Sequence, residues 1–465
     1  MIKPSPAARR EWAACALRRA RRSAQPVLLS ISHAIAAPED VLALVAAGGE
    51  SSPPYGFLWQ HPAEQFALAA AGVAADFRAT GSNRFRTIAA AWAELVHEAV
   101  IGGEAAAAGP IVTGGFSFAP EPPPDEDWHG FPPGRMVLPQ ISVLQQGQSA
   151  TLTVNLLVEG AHGLEDIVGQ IEARYAKLRF AAAAPMGSRL ASSPPECAAA
   201  AAQSPAAWRA AAGATIADIA SGRLDKLVLA RDYRLRSTRA FESARIVARL
   251  RQAHPNCTTF WIATPNGSFL GATPERLVRL ADGVVCSAAL AGTSARGVSS
   301  ALDRALLDNG KERHEHALVV RAIAAALTPL CDSLTVPAAP QVLALENLQH
   351  LFTPISGTLR AQCSVLELVE RLHPTPAVAG YPRAAALALL TDREAFNRGW
   401  YAGPIGWINA RQEGEFAVAL RSALVRGDRA ALFAGAGIVA GSDPDAELAE
   451  TELKLQPLLA ALLEV

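Results

Sequence analysis

Two short stretches concentrate carboxylates at helical spacing. NGKERHEHALVVRAI (309–323) carries Glu312 and Glu315 three residues apart, and therefore on one face of a helix. DAELAETELKLQPLL (445–459) carries Glu447, Glu450 and Lys454 at i, i+3 and i+7, again one stripe. A single helix of this kind is ordinarily a solvated charged face. Two of them, each with an E-x-x-E pair, suit a hard divalent cation, since Mg²⁺ takes oxygen ligands, keeps several waters and often binds through one or two carboxylates plus its substrate. His314 and His316 diverge at i, i+2, so a histidine metal site is not expected there.

Of the 42 basic residues only five are lysines (Lys3, Lys177, Lys226, Lys311 and Lys454), the rest arginines. Arginine serves wherever positive charge suffices, but it cannot give up a proton as lysine can. Lys226 opens an apolar alternating run, LDKLVLARDYRL, and is a candidate for chemistry as well as for a plain edge charge. Glu275 follows Thr-Pro between two strand-like runs, where an exposed turn carboxylate is the ordinary reading. Arg421 falls in FAVALRSALV, which reads as mid-strand, so its side chain is expected to point inward and to need an anionic partner such as a carboxylate substrate. His350, in NLQHLFTPISG, is read where a helix gives way to a loop. GAGIVAG (435–441) is spaced GxGxxxG and opens no helix, which argues against a dinucleotide fingerprint; Gly435 and Gly437 are expected to let bare backbone approach an anion.

The elements that must position these residues are helices at 205–221, 240–254, 301–328 and 445–463. Strands are expected at 226–235, 257–263, 268–280, 416–425 and 430–440. Upstream, helices are expected at 7–24, 84–103 and 163–178, and strands at 111–119 and 150–158. A Pro/acidic loop spans 120–134, and 181–207 reads as a Pro/Ser-punctuated linker. Helices and strands mix without a βαβ beat, so the expected class is α+β. The 465 residues and a net charge of −1 argue against a nucleic-acid binder. The N-terminus lacks an apolar signal core and no run is long enough to span a membrane, so a cytoplasmic protein is expected. Six cysteines without a CxxC pair read as reduced thiols.

Ten ordered blocks carry a resemblance to the chorismate-utilising enzymes, the family of anthranilate, aminodeoxychorismate, isochorismate and salicylate synthases. They are LDKLVLAR (224–231), FLGATPERL (269–277), ALAGTSARG (289–297), KERHEHALVV (311–320), LQHLFTPISG (348–357), LHPTPAVAGYP (372–382), WYAGPIGW (400–407), VALRSAL (418–424), LFAGAGIV (432–439) and the E-x-x-E-x-x-x-K of 447–454. HPTPAVAGYP resembles the isochorismate synthases rather than the ammonia-using members.

The resemblance implies one large α+β domain with two packed antiparallel sheets. Within it, 205–465 would be the chorismate-binding catalytic part and 1–204 a weakly matched scaffold, which makes 181–207 an internal loop. It implies Lys226 as general base and Glu275 as general acid. Glu315 and Glu450 would be Mg²⁺ ligands, with Glu312 and Glu447 in support. Gly292, Thr293, His350, Ala377, Tyr401, Arg421, Gly435, Gly437 and Lys454 would meet the substrate. No glutaminase subunit is implied. Alternatives kept open are a salicylate synthase, an ammonia-dependent anthranilate or aminodeoxychorismate synthase, and a non-catalytic chorismate-binding protein.

Overall fold

In the computed structural model, which describes residues 4–48, 54–103, 109–121, 125–182, 197–201, 204–296 and 300–463, strands from both halves of the chain interleave in two sheets. Among the described residues one sheet has 13 strands and the other 10. In the larger sheet Lys226–Ser237, Arg429–Val439, Ser422–Arg426, Gly267–Thr273 and Thr258–Thr264 lie side by side. Gly56–His61, Phe66–Ala71, Ile141–Gln146, Ser149–Val158 and Val27–Ala36 continue the same sheet. The smaller sheet runs from Leu348–Leu359 through Val284–Ala295, Arg276–Ala281, Gly414–Val418 and Pro404–Asn409 to Ile111–Phe116. Pairing is antiparallel apart from Val27–Ala36 with Val100–Gly103, which is parallel. The fold is α+β, with two multi-stranded sheets and helices packed around them.

The larger sheet is covered on both faces. Phe57 and Trp59 belong to one apolar cluster and Leu58 between them to the other, as the two-residue strand period requires. Each large side chain buried this way contributes on the order of 1.5–3 kcal/mol. The first cluster fills the space between the sheets with Phe116, Phe269, Phe416 and Trp400. The second lies under helices that include Pro6–Ser23 and Pro444–Leu463.

Two crossings between the sheets set up the cleft. The chain leaves the larger sheet at Thr273, turns through Pro274 and Glu275, and enters the smaller sheet at Arg276. It returns from Val418 of the smaller sheet through residues 419–421 to Ser422 of the larger. The flanking strands pair with each other in both sheets, so the two corners are neighbours. Val418 donates its N–H to the Glu275 carbonyl at 3.0 Å, and Thr273 Oγ1 donates to the Val418 carbonyl at 2.6 Å.

The corners correct two expectations. The run 268–280 is two strands split at Pro274, which has no N–H for a ladder. The run 416–425 is likewise two strands, and Arg421 is a corner residue with φ 49° rather than a mid-strand one. The expected helix 301–328 is Ser300–Asp308 and Gly310–Leu327, restarted by Asn309, whose side chain accepts from the N–H groups of Lys311 and Glu312. The helix at 84 ends at His97, and Val100–Gly103 is a strand. His350 is not at a helix end: Leu348–Leu359 is a long strand, and its Pro354 falls in the gap between the partners Gln341–Ala344 and Cys331–Thr335.

Most of the linker read at 181–207 (residues 183–196 and 202–203) lies outside the described residues, as do Lys3 and residues 122–124 of the acidic loop. The six cysteines are free thiols. Among the described residues no helix is long and apolar enough to cross a membrane.

Candidate active site

A cleft with about 690 Å³ of space, its mouth included, opens where the corners, the 292–293 backbone and two helices meet. Glu275, Gly292, Thr293, Glu315, His350 and Ala377 line it, as do Tyr401, Arg421, Gly435, Gly437, Glu450 and Lys454. Sequence reasoning did not name Pro274, Arg398, Leu420 and Phe433, which also face it. A four-residue spacing from Glu394 was visible in the sequence, and the two form a buried pair, though just beyond the end of the helix Arg383–Arg393. Lys226, Glu312 and Glu447 stand just behind the lining.

Lys226 starts the Lys226–Ser237 strand and is fully buried, 0% exposed. Its Nζ lies 2.8 Å from Glu315 Oε1, an ion-pair distance, but makes no aligned hydrogen bond. A buried ammonium or amine with unused donors marks a place where a further polar partner belongs. Room for the pair comes from Gly437, where a Cβ would collide with the Glu315 carboxylate and Lys226 Cε. Gly435 is hemmed in by Leu229 O and the Tyr401 hydroxyl, and its carbonyl accepts from Lys454 Nζ at 2.8 Å. These glycines therefore clear space for side chains.

Glu275 is 4% exposed, contrary to the turn-carboxylate reading. Burial pushes its pKa up to about 8, against the opposing pull of Lys226 and Lys454. At neutral pH it is a carboxylic acid with a proton to give.

The two carboxylate helices meet through Lys311. Lys311 Nζ sits 2.7 Å from Glu447 Oε1 and 3.6 Å from Glu312 Oε1, tying the first turn of Gly310–Leu327 to that of Pro444–Leu463. Ser442 Oγ donates to the same Glu447 oxygen at 2.7 Å, and the Thr293 N–H donates to Glu312 Oε2 at 2.8 Å. Burial raises the pKa of both Glu312 and Glu447. Glu450 pairs with Lys454 at 2.6 Å; burial would raise its pKa, but Lys454 outweighs that and the net shift is downward.

Among the described residues no three His, Cys, Asp or Glu side chains converge as a ready-made metal cage. Mg²⁺ does not need one, because one or two carboxylates, waters and a substrate oxygen suffice. Glu315 and Glu450 both reach the cleft surface, and two such carboxylates would fit that requirement. Glu312 and Glu447, already occupied by Thr293, Lys311 and Ser442, are placed to support it. Charge agrees with this: with Lys226 set aside as the base that the resemblance implies and Glu275 neutral, Lys311, Lys454 and Arg421 face the four carboxylates of Glu312, Glu315, Glu447 and Glu450. A dianionic substrate would then need a divalent cation to offset it.

His316 is a core histidine, its Nδ1 3.1 Å from Ala291 O and its Nε2 2.7 Å from Thr353 Oγ1, with burial lowering its pKa to about 4. Tyr401 stacks on Phe433, ring centroids 5.1 Å apart.

The family profile described as "Chorismate binding enzyme" matches residues 15–463. The chain belongs to the chorismate-binding enzyme family. The salicylate biosynthesis isochorismate synthase of Pseudomonas aeruginosa is 37% identical over 94% of this chain and 90% of its own length. Isochorismate synthase MenF of Bacillus subtilis is 34% identical over 96% of both. Among solved structures, MenF, the menaquinone-specific isochorismate synthase of Escherichia coli, superposes with a TM-score of 0.76 at 28% identity, covering 97% of this chain and all of that one.

Proposed function

We propose that the chain is an isochorismate synthase, converting chorismate to isochorismate with Mg²⁺ as cofactor. The observation that carries the reading is a buried, protonated Glu275 in the same cleft as the Lys226–Glu315 pair, which is an acid and a base held together away from bulk water. Full-length similarity to enzymes named isochorismate synthase supports it.

Lys226 takes a proton from a water molecule, whose oxygen bonds to C2 of the ring. The ring double bonds shift, the C4–O bond breaks, and Glu275 gives its proton to the departing hydroxyl. One water enters and one leaves, so the product is an isomer. Acting together, acid and base improve the nucleophile and the leaving group in one transition state, each worth about 10²–10⁴-fold.

Arg421 and Lys454 bind the substrate carboxylates. Gly292, Thr293, Ala377, Tyr401, Gly435 and Gly437 shape the cleft around the ring, with His350 beside it. Glu315 and Glu450 would hold Mg²⁺, with Glu312 and Glu447 in support; the ion would offset the charge of a substrate carboxylate. Residues 205–465 form the catalytic part and 1–204 the scaffold, since every site residue lies between Lys226 and Lys454. The protein works in the cytoplasm, without a glutaminase subunit.

Chromatography of products from chorismate and Mg²⁺, without ammonium, tests the reading. Isochorismate is expected, and chelation of Mg²⁺ should stop its formation reversibly. Salicylate as the main product, or a dependence on ammonium, would sink it.

A further inference from the structure

We propose that His350 is a positioning residue and not a proton-transfer group: with Thr293 it holds one edge of the Arg421 guanidinium so that the arginine stands ready for a substrate carboxylate. The inference rests on the reading of Arg421 given above and deepens it.

Thr293 and His350 are direct cross-strand partners, a register created by a bulge at Gly292, whose φ is 79°. Thr293 Oγ1 lies 3.0 Å from His350 Nδ1, and Arg421 Nη2 lies 3.3 Å from His350 Nε2. A guanidinium can only donate, so Nε2 must be the accepting nitrogen. The single ring proton therefore sits on Nδ1 and is donated to Thr293. Burial, reinforced by the charges of Arg421 and Lys454, keeps the ring neutral, its pKa well below the usual value. With both nitrogens engaged, the ring has none left to exchange a proton with a substrate.

Arg421 is fixed from its backbone as well. It holds a left-handed φ of 49°, a strained setting for a long side chain. The Ala272 N–H donates to its carbonyl at 3.2 Å, and only a glycine at 271 leaves space for that carbonyl. What remains is Nη1, buried and without a partner. Immobilising a long side chain before binding removes an entropy cost that would otherwise weaken binding. The Thr293 N–H on Glu312 extends this hydrogen-bonded series to the carboxylate helices.

Steady-state kinetics on His350→Ala, His350→Gln, Thr293→Val and Arg421→Met, with pH profiles, test the proposal. His350→Ala should raise KM for chorismate about tenfold or more, the loss of one hydrogen bond to a charged group, with a much smaller change in kcat. Glutamine can accept from Arg421 through its carbonyl and donate to Thr293 through its amide, so His350→Gln should recover most of the loss. Thr293→Val should raise KM less than His350→Ala. In an Arg421→Met background, His350→Ala should add little. A kcat loss shared equally by the Gln and Ala variants, or a limb missing from the pH profile, would overturn the positioning role. So would additive KM effects of His350→Ala and Arg421→Met. If Arg421→Met itself leaves KM unchanged, the carboxylate reading of Arg421 fails. If Arg421→Met raises KM and His350→Ala does not, only the inference about His350 falls.

Discussion

Two arginines face the cleft from different walls, and their surroundings are opposites. Arg398 is closed on every side: Glu394 pairs with it through both carboxylate oxygens, the carbonyls of Val378 and Val228 accept from it at 2.7 Å, and the Phe118 ring lies 4.3 Å from its guanidinium carbon. Arg421 has a neutral histidine, a strained backbone and an unpartnered nitrogen. Burial works against both charges. At Arg398 Glu394 outweighs it and the pKa rises; at Arg421 it prevails and the pKa falls. Stability is complete at the first wall without a ligand, whereas the second is built around a charge still to be matched.

The largest effect should come from the chemistry at the Arg421 wall: Glu275→Gln is expected to lower kcat by about 10²–10⁴-fold. Its thermal unfolding at pH 7 should be unchanged or higher, because the amide keeps the shape without an ionisable group. Lys226→Arg should be similarly inactive, since arginine cannot give up its proton. Glu394→Ala strands a buried charge and should cost about 3–5 kcal/mol in denaturant unfolding. Arg421→Met should do the reverse, raising KM by about 10–100-fold with no loss of stability. Equal stability losses in the two variants would erase the distinction between the walls.

A smaller and graded effect is expected from pH. Glu275 must be protonated to act, and burial holds its pKa near 8, so kcat/KM should fall as pH rises through about 8. The same sign applies to folding. A carboxyl whose folded pKa lies above its unfolded 4.5 stabilises the fold fully below 4.5, and that contribution is lost as pH climbs toward 8. Glu275→Gln should flatten both dependences.

What could be read in the sequence followed the range of the interaction. Glu312 with Glu315, and Glu447 with Glu450 and Lys454, are related by helical spacing, and the structure keeps those relations. The burial of Glu275 could not be read the same way, because Thr-Pro-Glu looks like any turn until the second sheet closes over it. Arg421 was rightly expected to be inward and short of an anion, but its place at a corner depends on two sheets meeting. Lys311 had no role in one dimension; its partner Glu447 is 136 residues away. Alanine-rich strands such as Phe66–Ala71 in the first half were not anticipated, since alanine favours helices and only sheet pairing on both sides overrides that.

The complete enclosure of Lys226 has a consequence for atoms rather than energies. A base that bulk solvent does not touch acts on the water admitted to the cleft, so each forward turnover should exchange one oxygen. In ¹⁸O-labelled water the label should enter at C2, and the oxygen lost from C4 should leave as unlabelled water. Reversal of the reaction would then write the isotope back onto C4 of chorismate, marking each molecule that has completed at least one round trip through the site.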